Sequence, residues 1–260
     1  MHTIRRFEPM LSSNEEKSRA RSQRFSSVVD PLSDPHINGE YLAKNPSWHI
    51  EYSPWKAENV RRLLDKQKLQ PRTICDVGCG VGEVLRQLQL KMDPECRFWG
   101  YDIAPAAIRL AHERENERLK VKVADFGEIE TPRFDLLLVL EVIDHIEDYL
   151  GFLRMLRERA EWKIISFSLD ITVQSAIRTG VFTRWREGLR HLHHFNEEIA
   201  LDTLRHTGYE VVEHCYGPWP NQARGLSAAL LKAIRGASFA ISPELSVKLF
   251  GGCNLVVLAR

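Results

Sequence analysis

A glycine-dense turn beside an acidic residue has the clearest chemical content in this sequence. Residues 76–82 read DVGCGVG; they follow a short apolar run and precede an amphipathic pattern of helical period. A strand that enters such a turn and then a helix presents backbone N–H groups to a ligand, and glycine lets the ligand approach closely. A carboxylate at Asp76 suits a cationic ligand group better than a pyrophosphate. We therefore predict a binding site at this turn.

The spacing of the glycines separates this turn from a dinucleotide-binding fingerprint. That fingerprint is Gly-x-Gly-x-x-Gly, and its last glycine, counted from Gly78, falls on Glu83. A nicotinamide-dependent oxidoreductase is therefore disfavoured. A tight turn between a strand and a helix, without any ligand, remains the alternative.

The turn resembles motif I of the class I S-adenosylmethionine (SAM)-dependent methyltransferases, in which an acidic residue and glycines surround the methionine part of the cofactor. The resemblance implies that SAM is the cofactor and that it contacts Asp76, Gly78, Cys79 and Gly80. It also implies that the helix before the turn, which carries Lys56, packs at the mouth of the cofactor pocket.

Acidic residues also end the next two predicted strands. A carboxylate at Asp102 can accept two hydrogen bonds from a ribose diol, and Ile103 offers an apolar face to a purine; a helix N-cap is the alternative role of Asp102. In the enzymes that this chain resembles, an acidic residue at the position of Asp125 binds the adenine amino group. The next side chain, here Phe126, packs on the ring. A polar turn is the alternative for this pair.

The fourth predicted strand ends in a second segment with a family resemblance. Residues 141–146 read EVIDHI, which is similar to the EVLEHI stretch of small-molecule methyltransferases of the ubiquinone and menaquinone type, with Asp144 in place of the usual Glu. The resemblance places Glu141 by the methionyl end of the cofactor and Val142 by its sulfonium. His145 follows the strand end and is a candidate base, with helix capping or packing as the alternative.

Histidines cluster again at residues 191–194, which read HLHH. This segment resembles the His-Leu-Arg-Phe segment that precedes the sixth strand's helix in the same family, and His191 matches the family's histidine. A hydroxyl acceptor must lose a proton during methylation, so His145 and His191 are the two predicted catalytic residues. The histidines His191, His193 and His194 lack a partner set with the spacing of a metal site, and we predict that no metal is bound.

The periodicity from residue 73 onward alternates between strand and helix. Strands are predicted at 73–77, 97–101, 120–123, 134–140, 162–168, 209–215 and 254–259, and helices at 54–68, 83–91, 105–117, 146–159, 197–207 and 222–237. This alternation favours an α/β fold with a doubly wound sheet. The resemblance adds a Rossmann-like arrangement of seven strands, mostly parallel, with an antiparallel last strand.

The chain divides by composition into an arm and one domain. Residues 1–45 are polar and interrupted by prolines, which predicts a flexible N-terminal arm. Residues 46–260 are predicted to form one class I methyltransferase domain, a natural size for a single α/β core. Within it we expect a lid insertion at about 170–195 and a helical insertion at about 222–252.

Charge and composition limit the partners and the compartment. The 260 residues carry a net charge of +1, so the protein as a whole is not attracted electrostatically to nucleic acid or to an acidic membrane. No apolar run approaches the ~20 residues that cross a bilayer, and Met1 to Arg24 lacks the apolar core of a signal peptide. The five cysteines include no C-x-x-C pair. We therefore expect a cytoplasmic protein with reduced thiols, no nucleic-acid partner and no integral membrane segment.

These observations predict a SAM-dependent methyltransferase that moves a methyl group to a small-molecule or lipid-linked acceptor, at oxygen. The fourth strand is not followed by the Asn/Asp-Pro-Pro-aromatic run of nucleic-acid amino methylases. An arginine-rich stretch from Arg178 to Arg190 favours an anionic acceptor, with a solvated helix face as the alternative. A non-catalytic SAM-binding or partner-binding protein on the same fold also stays open. The sequence leaves the oligomeric state undetermined.

Overall fold

The centre of the molecule is a seven-stranded sheet. The computed structural model describes residues 35–220 and 226–260. Its strands are β1 (Thr73–Val77), β2 (Arg97–Asp102), β3 (Leu119–Val123), β4 (Phe134–Leu140), β5 (Ala160–Ser168), β6 (Val211–Pro218) and β7 (Cys253–Ala259). The strand order is β3-β2-β1-β4-β5-β7-β6, in which β1 to β5 run parallel and β7 is antiparallel to both of its neighbours. The predicted doubly wound α/β sheet with an antiparallel last strand is confirmed.

Helices cover both faces of the sheet. In chain order the α-helices are α1 (Pro35–Asn38), α2 (Glu40–Lys44), α3 (Ser53–Lys66), α4 (Glu83–Gln89), α5 (Pro105–Ala111), α6 (Tyr149–Leu156), α7 (Val173–Ala176), α8 (Val181–Gly188), α9 (Glu197–His206), α10 (Leu226–Ile241) and α11 (Pro243–Phe250). Helices α3, α4 and α5 pack on one face, and α6, α9 and α11 pack on the other. None of the described helices is both long and apolar enough to cross a membrane.

Strand β4 shows why this sequence forms a sheet that is covered on both sides. From Leu136 onward every residue of β4 is apolar and buried, as a parallel strand between two helical layers requires. Leu137 belongs to one hydrophobic cluster and Leu136 to the other. Asp135 is the polar exception, because its Oδ2 accepts hydrogen bonds from the backbone N–H groups of Arg72 and Thr73 at 2.8 and 2.9 Å. This carboxylate ties the start of β4 to the start of β1.

Capping residues set where the helices on the second face begin. Helix α9 starts after Asn196, as predicted, and the Asn196 side chain accepts a helical N–H at 2.8 Å. Helix α6 starts at Tyr149, three residues later than predicted, because Asp148 accepts the N–H of Gly151 at 2.9 Å and caps the helix there. The residues just before it form a 3-10 turn, Ile143–His145, instead of the first helical turn.

The segments outside the strand–helix alternation contain further helices. Residues 35–44 of the predicted arm form α1 and α2, with α1 against α5; residues 1–34 lie outside the described residues. The predicted lid at 170–195 holds α7 and α8. The described part of the predicted insertion at 222–252 holds α10 and α11, which pack on each other, while α11 also contacts α7.

Candidate active site

Three glycines give the turn after β1 its shape. Gly78, Gly80 and Gly82 have φ angles of +78°, +54° and +74°, a region that residues with a Cβ rarely adopt. A Cβ at Gly78 would overlap the side chain of Val142, so the ends of β1 and β4 can approach each other only because that atom is absent. The glycines therefore let neighbouring side chains, and a ligand at the carboxyl edge of these strands, approach the backbone of the turn closely.

Asp76 is a buried carboxylate without a partner. It is 2% exposed, and its Oδ1 atom has no hydrogen-bond partner among the described residues. Burial raises the pKa of Asp76, the charge of Lys56 lowers it in part, and the charge of Asp102 raises it. The result is a pKa of about 7. A carboxylate in this state gains most from a cationic ligand. The ammonium group of an amino-acid ligand meets that requirement.

The Asp102 carboxylate joins the glycine turn to the start of α5. One of its oxygens accepts the N–H of Gly80 and the other accepts the N–H of Ala104, both at 2.8 Å. The side chain is thereby fixed at the end of β2, and each oxygen keeps a lone pair for a ribose hydroxyl. Ala104, and not Asp102, occupies the N-cap position of α5. The neighbouring Ile103 is 41% exposed and open to a planar ring.

Two residues predicted to contact the cofactor place their side chains in the core. Phe126 is 2% exposed, and its ring packs 5.5 Å from that of Tyr101, as burial of an aromatic ring favours; its predicted contact with adenine has no support from this placement. The Cys79 side chain packs against Gly100, so only its backbone is left for the turn. None of the five cysteines forms a disulfide. Asp125 is exposed, and its carboxylate accepts a backbone N–H two residues on, at 2.8 Å.

Glu141 bounds the site on the β4 side. Its φ of +60° lies in the left-handed region, and its backbone N–H donates to Ser166 Oγ at 2.8 Å. One carboxylate oxygen accepts a hydrogen bond from Asn254 Nδ2 at 2.8 Å, and the other pairs with the Lys56 ammonium. Burial raises the pKa of Glu141, but Lys56 and Asn254 outweigh it and hold the pKa below its ordinary value. Glu141 is therefore a fixed, ionised side chain.

The two predicted catalytic histidines lie side by side, with ring centroids 5.3 Å apart. His145 Nδ1 donates to the Arg190 carbonyl at 3.1 Å, and burial together with the nearby histidines lowers the pKa of His145 to about 4. His191 Nδ1 donates to Asp170 at 2.8 Å. Burial lowers the pKa of His191, but the carboxylates of Asp170 and Asp144 outweigh it and raise the pKa above its ordinary value. Relative to the ordinary value for histidine, the pKa of His145 is thus lowered and the pKa of His191 is raised.

Asp170 organises this cluster, although it was not among the predicted site residues. Its Oδ2 accepts hydrogen bonds from Nδ1 of both His191 and His194, at 2.8 and 3.0 Å. It stands two positions after β5, so the strand-end reasoning applied to β2 and β3 would have selected it. Beneath it lies Asp144, whose Oδ2 accepts from Ser168 Oγ at 2.8 Å while its Oδ1 has no partner among the described residues. Burial raises the pKa of Asp144 to about 7.

The same side chains are the described group with the geometry of a metal site. Asp170, His191 and His194 each offer one ligand atom, and these atoms lie within 4.8 Å of one another. Hydrogen bonds already join Nδ1 of each histidine to Asp170 Oδ2. His193 is not part of this group. Its Nε2 donates a hydrogen bond to the Ile146 carbonyl oxygen at 2.9 Å. The absence of a metal stays a prediction.

A cavity of about 230 Å³ lies next to His191. The ends of β5 and β7 form its base, and α7, α8, α10 and α11 contribute its walls. Polar and aromatic side chains line it together, among them Asp170, Arg178, Trp185, Trp219 and Arg235. A small cavity with apolar walls and a few polar groups is typical of a site for a small organic molecule.

Aromatic side chains from the segment before α3 cover the glycine turn. A Cβ at Gly80 would lie 2.7 Å from Trp48 Nε1, so the indole rests directly on the turn. Trp48 in turn contacts Tyr41, with ring centroids 4.9 Å apart, and His36 lies 5.7 Å from His145. Helices α1 and α2 therefore form one wall of the site. No motif or spacing in the sequence marks Trp48 for this position.

The chain matches the model of the methyltransferase domain family over residues 48–214, and it belongs to that family. The sheet order and the glycine turn are those of the class I SAM-dependent methyltransferases, and SAM is the cofactor. The residues present fit this cofactor, because Asp76 offers an unpaired buried carboxylate and the turn beside it carries no side chain at Gly78 and Gly80.

Similarity to individual proteins covers the chain unevenly. The chain is 29% identical to ajmaline N-methyltransferase of Rauvolfia serpentina over 160 residues, which are 55% of this chain and 54% of that enzyme. It is 31% identical to malonyl-[acyl-carrier protein] O-methyltransferase of Acetivibrio thermocellus over 110 residues, 40% of this chain and 38% of that enzyme. It thus spans about half, or less, of the length of these curated relatives.

Among solved structures, the fold is similar to that of magnesium protoporphyrin IX methyltransferase (ChlM) from Synechocystis PCC 6803 with bound SAH. The TM-score is 0.51 at 15% sequence identity, and the match covers 94% of each chain. At this identity the likeness concerns the fold alone.

Proposed function

We propose that this protein transfers the methyl group of SAM to a hydroxyl oxygen of a small organic acceptor, with His191 as the general base. The observation that carries the proposal is the hydrogen bond from His191 Nδ1 to Asp170, at 2.8 Å, in the wall of the cavity described above. Bound SAM supplies a methyl group on a sulfonium, which leaves as a neutral thioether. A base is needed at oxygen because a neutral hydroxyl is a weak nucleophile.

Asp170 sets the tautomer of His191 in this proposal. Because the Nδ1 proton is donated to Asp170, Nε2 holds the lone pair that accepts a proton from the acceptor hydroxyl. The carboxylates around His191 stabilise the imidazolium that results, which is why its pKa is raised in spite of burial. His145 is the weaker base of the two, because burial keeps its imidazole neutral. We assign His145 to the wall of the acceptor pocket.

The proposed cofactor contacts are distributed over four strand ends. Asp76 binds the ammonium group, and the absence of a partner for its Oδ1 among the described residues supports this. Asp102 accepts the ribose hydroxyls, with the exposed isoleucine after it against the purine, and Asp125 accepts the adenine amino group at the end of β3. Glu141 lies by the methionyl end and Val142 by the sulfonium, where the close approach of β4 to the glycine turn supports their placement.

The size of the cavity and the relatives support a small acceptor. A volume of about 230 Å³ holds a compact organic molecule rather than a polymer, so we infer no nucleic-acid substrate. The two relatives are named as an N- and an O-methyltransferase, and the His191–Asp170 pair favours oxygen for this chain. We further infer that residues 46–260 form the methyltransferase domain, that α7 and α8 act as its lid, and that the protein works in the cytoplasm.

A methyl-transfer assay with labelled SAM against matched phenols, alcohols and amines tests the proposal. We expect transfer to a hydroxyl, with a kcat that rises with pH through the pKa of His191, since only the neutral imidazole accepts a proton. His191→Gln should lower kcat by about 100-fold or more and remove this pH dependence. Asp170→Asn should lower kcat and move the inflection to lower pH, because the stabilising carboxylate is lost.

The exposed His206→Gln, on α9, is the matched control and should leave kcat and its pH profile unchanged. All variants should bind SAM as the unmodified protein does, since neither His191 nor Asp170 is assigned to the cofactor. A His191→Gln protein that keeps full activity and the same pH profile would rule out the base. If the protein methylates amines and no hydroxyl compound, the acceptor atom is nitrogen and the proposed transfer to oxygen is wrong.

A further inference from the structure

Two arginine side chains from different parts of the chain line the cavity next to His191. Arg178 follows α7, and Arg235 lies on α10, 57 positions later in the sequence. Within residues 35–220 and 226–260, neither guanidinium has a carboxylate within ion-pair distance. The acid in this cavity, Asp170, is already shared by His191 and His194. The cavity therefore carries two positive charges without a counterion of their own.

Arg235 is held in place by neutral groups. Its Nη2 donates to Gln174 Oε1 at 2.9 Å and to the Phe250 carbonyl at 2.7 Å. Gly252 leaves room for it, because a Cβ there would lie 3.0 Å from Arg235 Nη1. Its Nε is buried and has no hydrogen-bond acceptor among the described residues. The guanidinium is thus fixed by its surroundings, while its charge and one of its N–H groups remain unsatisfied.

This arrangement is unfavourable without a ligand. Burial and the charge of Arg178 both lower the pKa of Arg235, which reflects a cation that is partly desolvated beside another cation. An unpaired buried charge costs stability, and a planar oxyanion can accept parallel hydrogen bonds from a guanidinium. The rest of the lining is mixed: the indoles of Trp185 and Trp219 supply apolar surface, and Ser168 and Thr172 supply polar groups.

We propose that Arg178 and Arg235 form an oxyanion subsite, and that the methyl acceptor carries a carboxylate or phosphate group there. The inference rests on the proposed function and narrows its substrate class to a molecule with an apolar body, a negative group at Arg235 and a hydroxyl near His191. The arginine-rich stretch from 178 to 190 predicted an anionic acceptor. Of that stretch, Arg178 faces the cavity, whereas Arg184 donates to a surface backbone carbonyl at 3.2 Å.

The subsite can be tested without knowing the acceptor. Benzoate, phenyl phosphate and the neutral benzamide serve as probes, titrated calorimetrically into the full chain. We expect saturable binding of at least one of the two anions and none of benzamide; the stronger anion distinguishes a carboxylate site from a phosphate site. Arg178→Gln and Arg235→Gln should each weaken that binding by about tenfold or more. Arg184→Gln, on the same insertion but outside the cavity, should bind as the unmodified protein does.

SAM affinity, measured on the same samples, separates the subsite from the proposed function. Variants that lose the anion and keep SAM show that the fold is intact, and Arg178 is exposed enough that its replacement should leave the core unaffected. If neither anion binds the unmodified protein, or if both arginine variants bind as it does, the subsite is overturned, although SAM-dependent transfer to a neutral hydroxyl would still support the proposed function. Failure to bind SAM would remove the proposed function whatever the anions do.

Discussion

Two carboxylates at neighbouring strand ends show how surroundings set the role of a residue. Glu141 is partly buried, and it is ionised and immobilised because Lys56 and Asn254 both bind it. Asp76 is more deeply buried, at 2% exposed, and its Oδ1 lacks a partner among the described residues; its pKa is raised to about 7. In the sequence both are simply acids near the end of an apolar run. Only the fold determines that the Glu141 carboxylate is paired, whereas Oδ1 of Asp76 has no partner among the described residues.

The dissociation constant for SAM should fall as the pH rises from about 6 to about 7. Asp76 holds a proton over much of this range in the ligand-free protein, whereas the ammonium of the cofactor favours the ionised carboxylate. The change can reach at most about tenfold per pH unit and should level off above the pKa. Titration calorimetry at several pH values measures this slope.

Asp76→Asn should bind SAM more weakly than the unmodified protein near pH 7 and lose the slope, while the exposed Asp202→Asn should keep both. The same raised pKa means that the folded protein holds this proton more tightly than the unfolded chain between pH 3.8 and about 7. The Asp76 contribution to the free energy of unfolding therefore declines as the pH rises through that window. An affinity that is identical at every pH would contradict the assignment of Asp76.

At the scale of elements, the site depends on contacts between segments that are distant in the chain. The short helices α1 and α2 and the indole of Trp48 cover the glycine turn. The antiparallel entry of β7 brings Asn254 beside Glu141, 113 positions away in sequence. An active site formed by such contacts should respond to substitutions that separate the segments without altering any ligand-binding group.

Gly80→Ala should destabilise the protein by about 1–3 kcal/mol and weaken SAM binding. Its φ is +54°, and the added Cβ would lie 2.7 Å from Trp48 Nε1. Urea unfolding measures the loss, and Gly236→Ala is the control, because that helical glycine has nothing within 4 Å of a Cβ. Combining Gly80→Ala with Trp48→Ala should recover part of the loss. Strictly additive effects of the two substitutions would contradict the contact.

Periodicity located the regular elements well and the irregular ones poorly. The bounds of β1 and β4 were predicted to the residue, and in β4 the run from Leu136 to Leu140 is uninterrupted and apolar, as burial on both faces requires. Helix α7 has only four residues, too few to show a helical period. At the strand ends, its position at the end of β2 identified Asp102 as a candidate, whereas Asp170 lies two residues beyond β5, within the segment predicted as a lid, and was not predicted.

At the scale of the molecule, the sheet brings the glycine turn and the cavity beside His191, which we propose as the acceptor site, to one edge. The glycine turn lies after β1, the histidines lie beside β4 and β5, and the cavity lies where β5 meets β7. The positions of these groups follow from the strand order seen in the structure. The family resemblance predicted an antiparallel last strand, and the structure confirms it. Arg235 could not be found in this way, since its position depends on how α10 packs, and no motif in the sequence encodes that packing.

The most direct test of the account is calorimetric titration of the purified chain with SAM, with SAH and with NADH in parallel. We expect micromolar binding of SAM and of SAH, because Asp76 and Asp102 are arranged for the amino-acid and ribose groups that both share. We expect no binding of NADH, because Glu83 stands where a dinucleotide fingerprint needs glycine. Absence of SAM binding by a folded protein, or tight binding of NADH, would contradict the account.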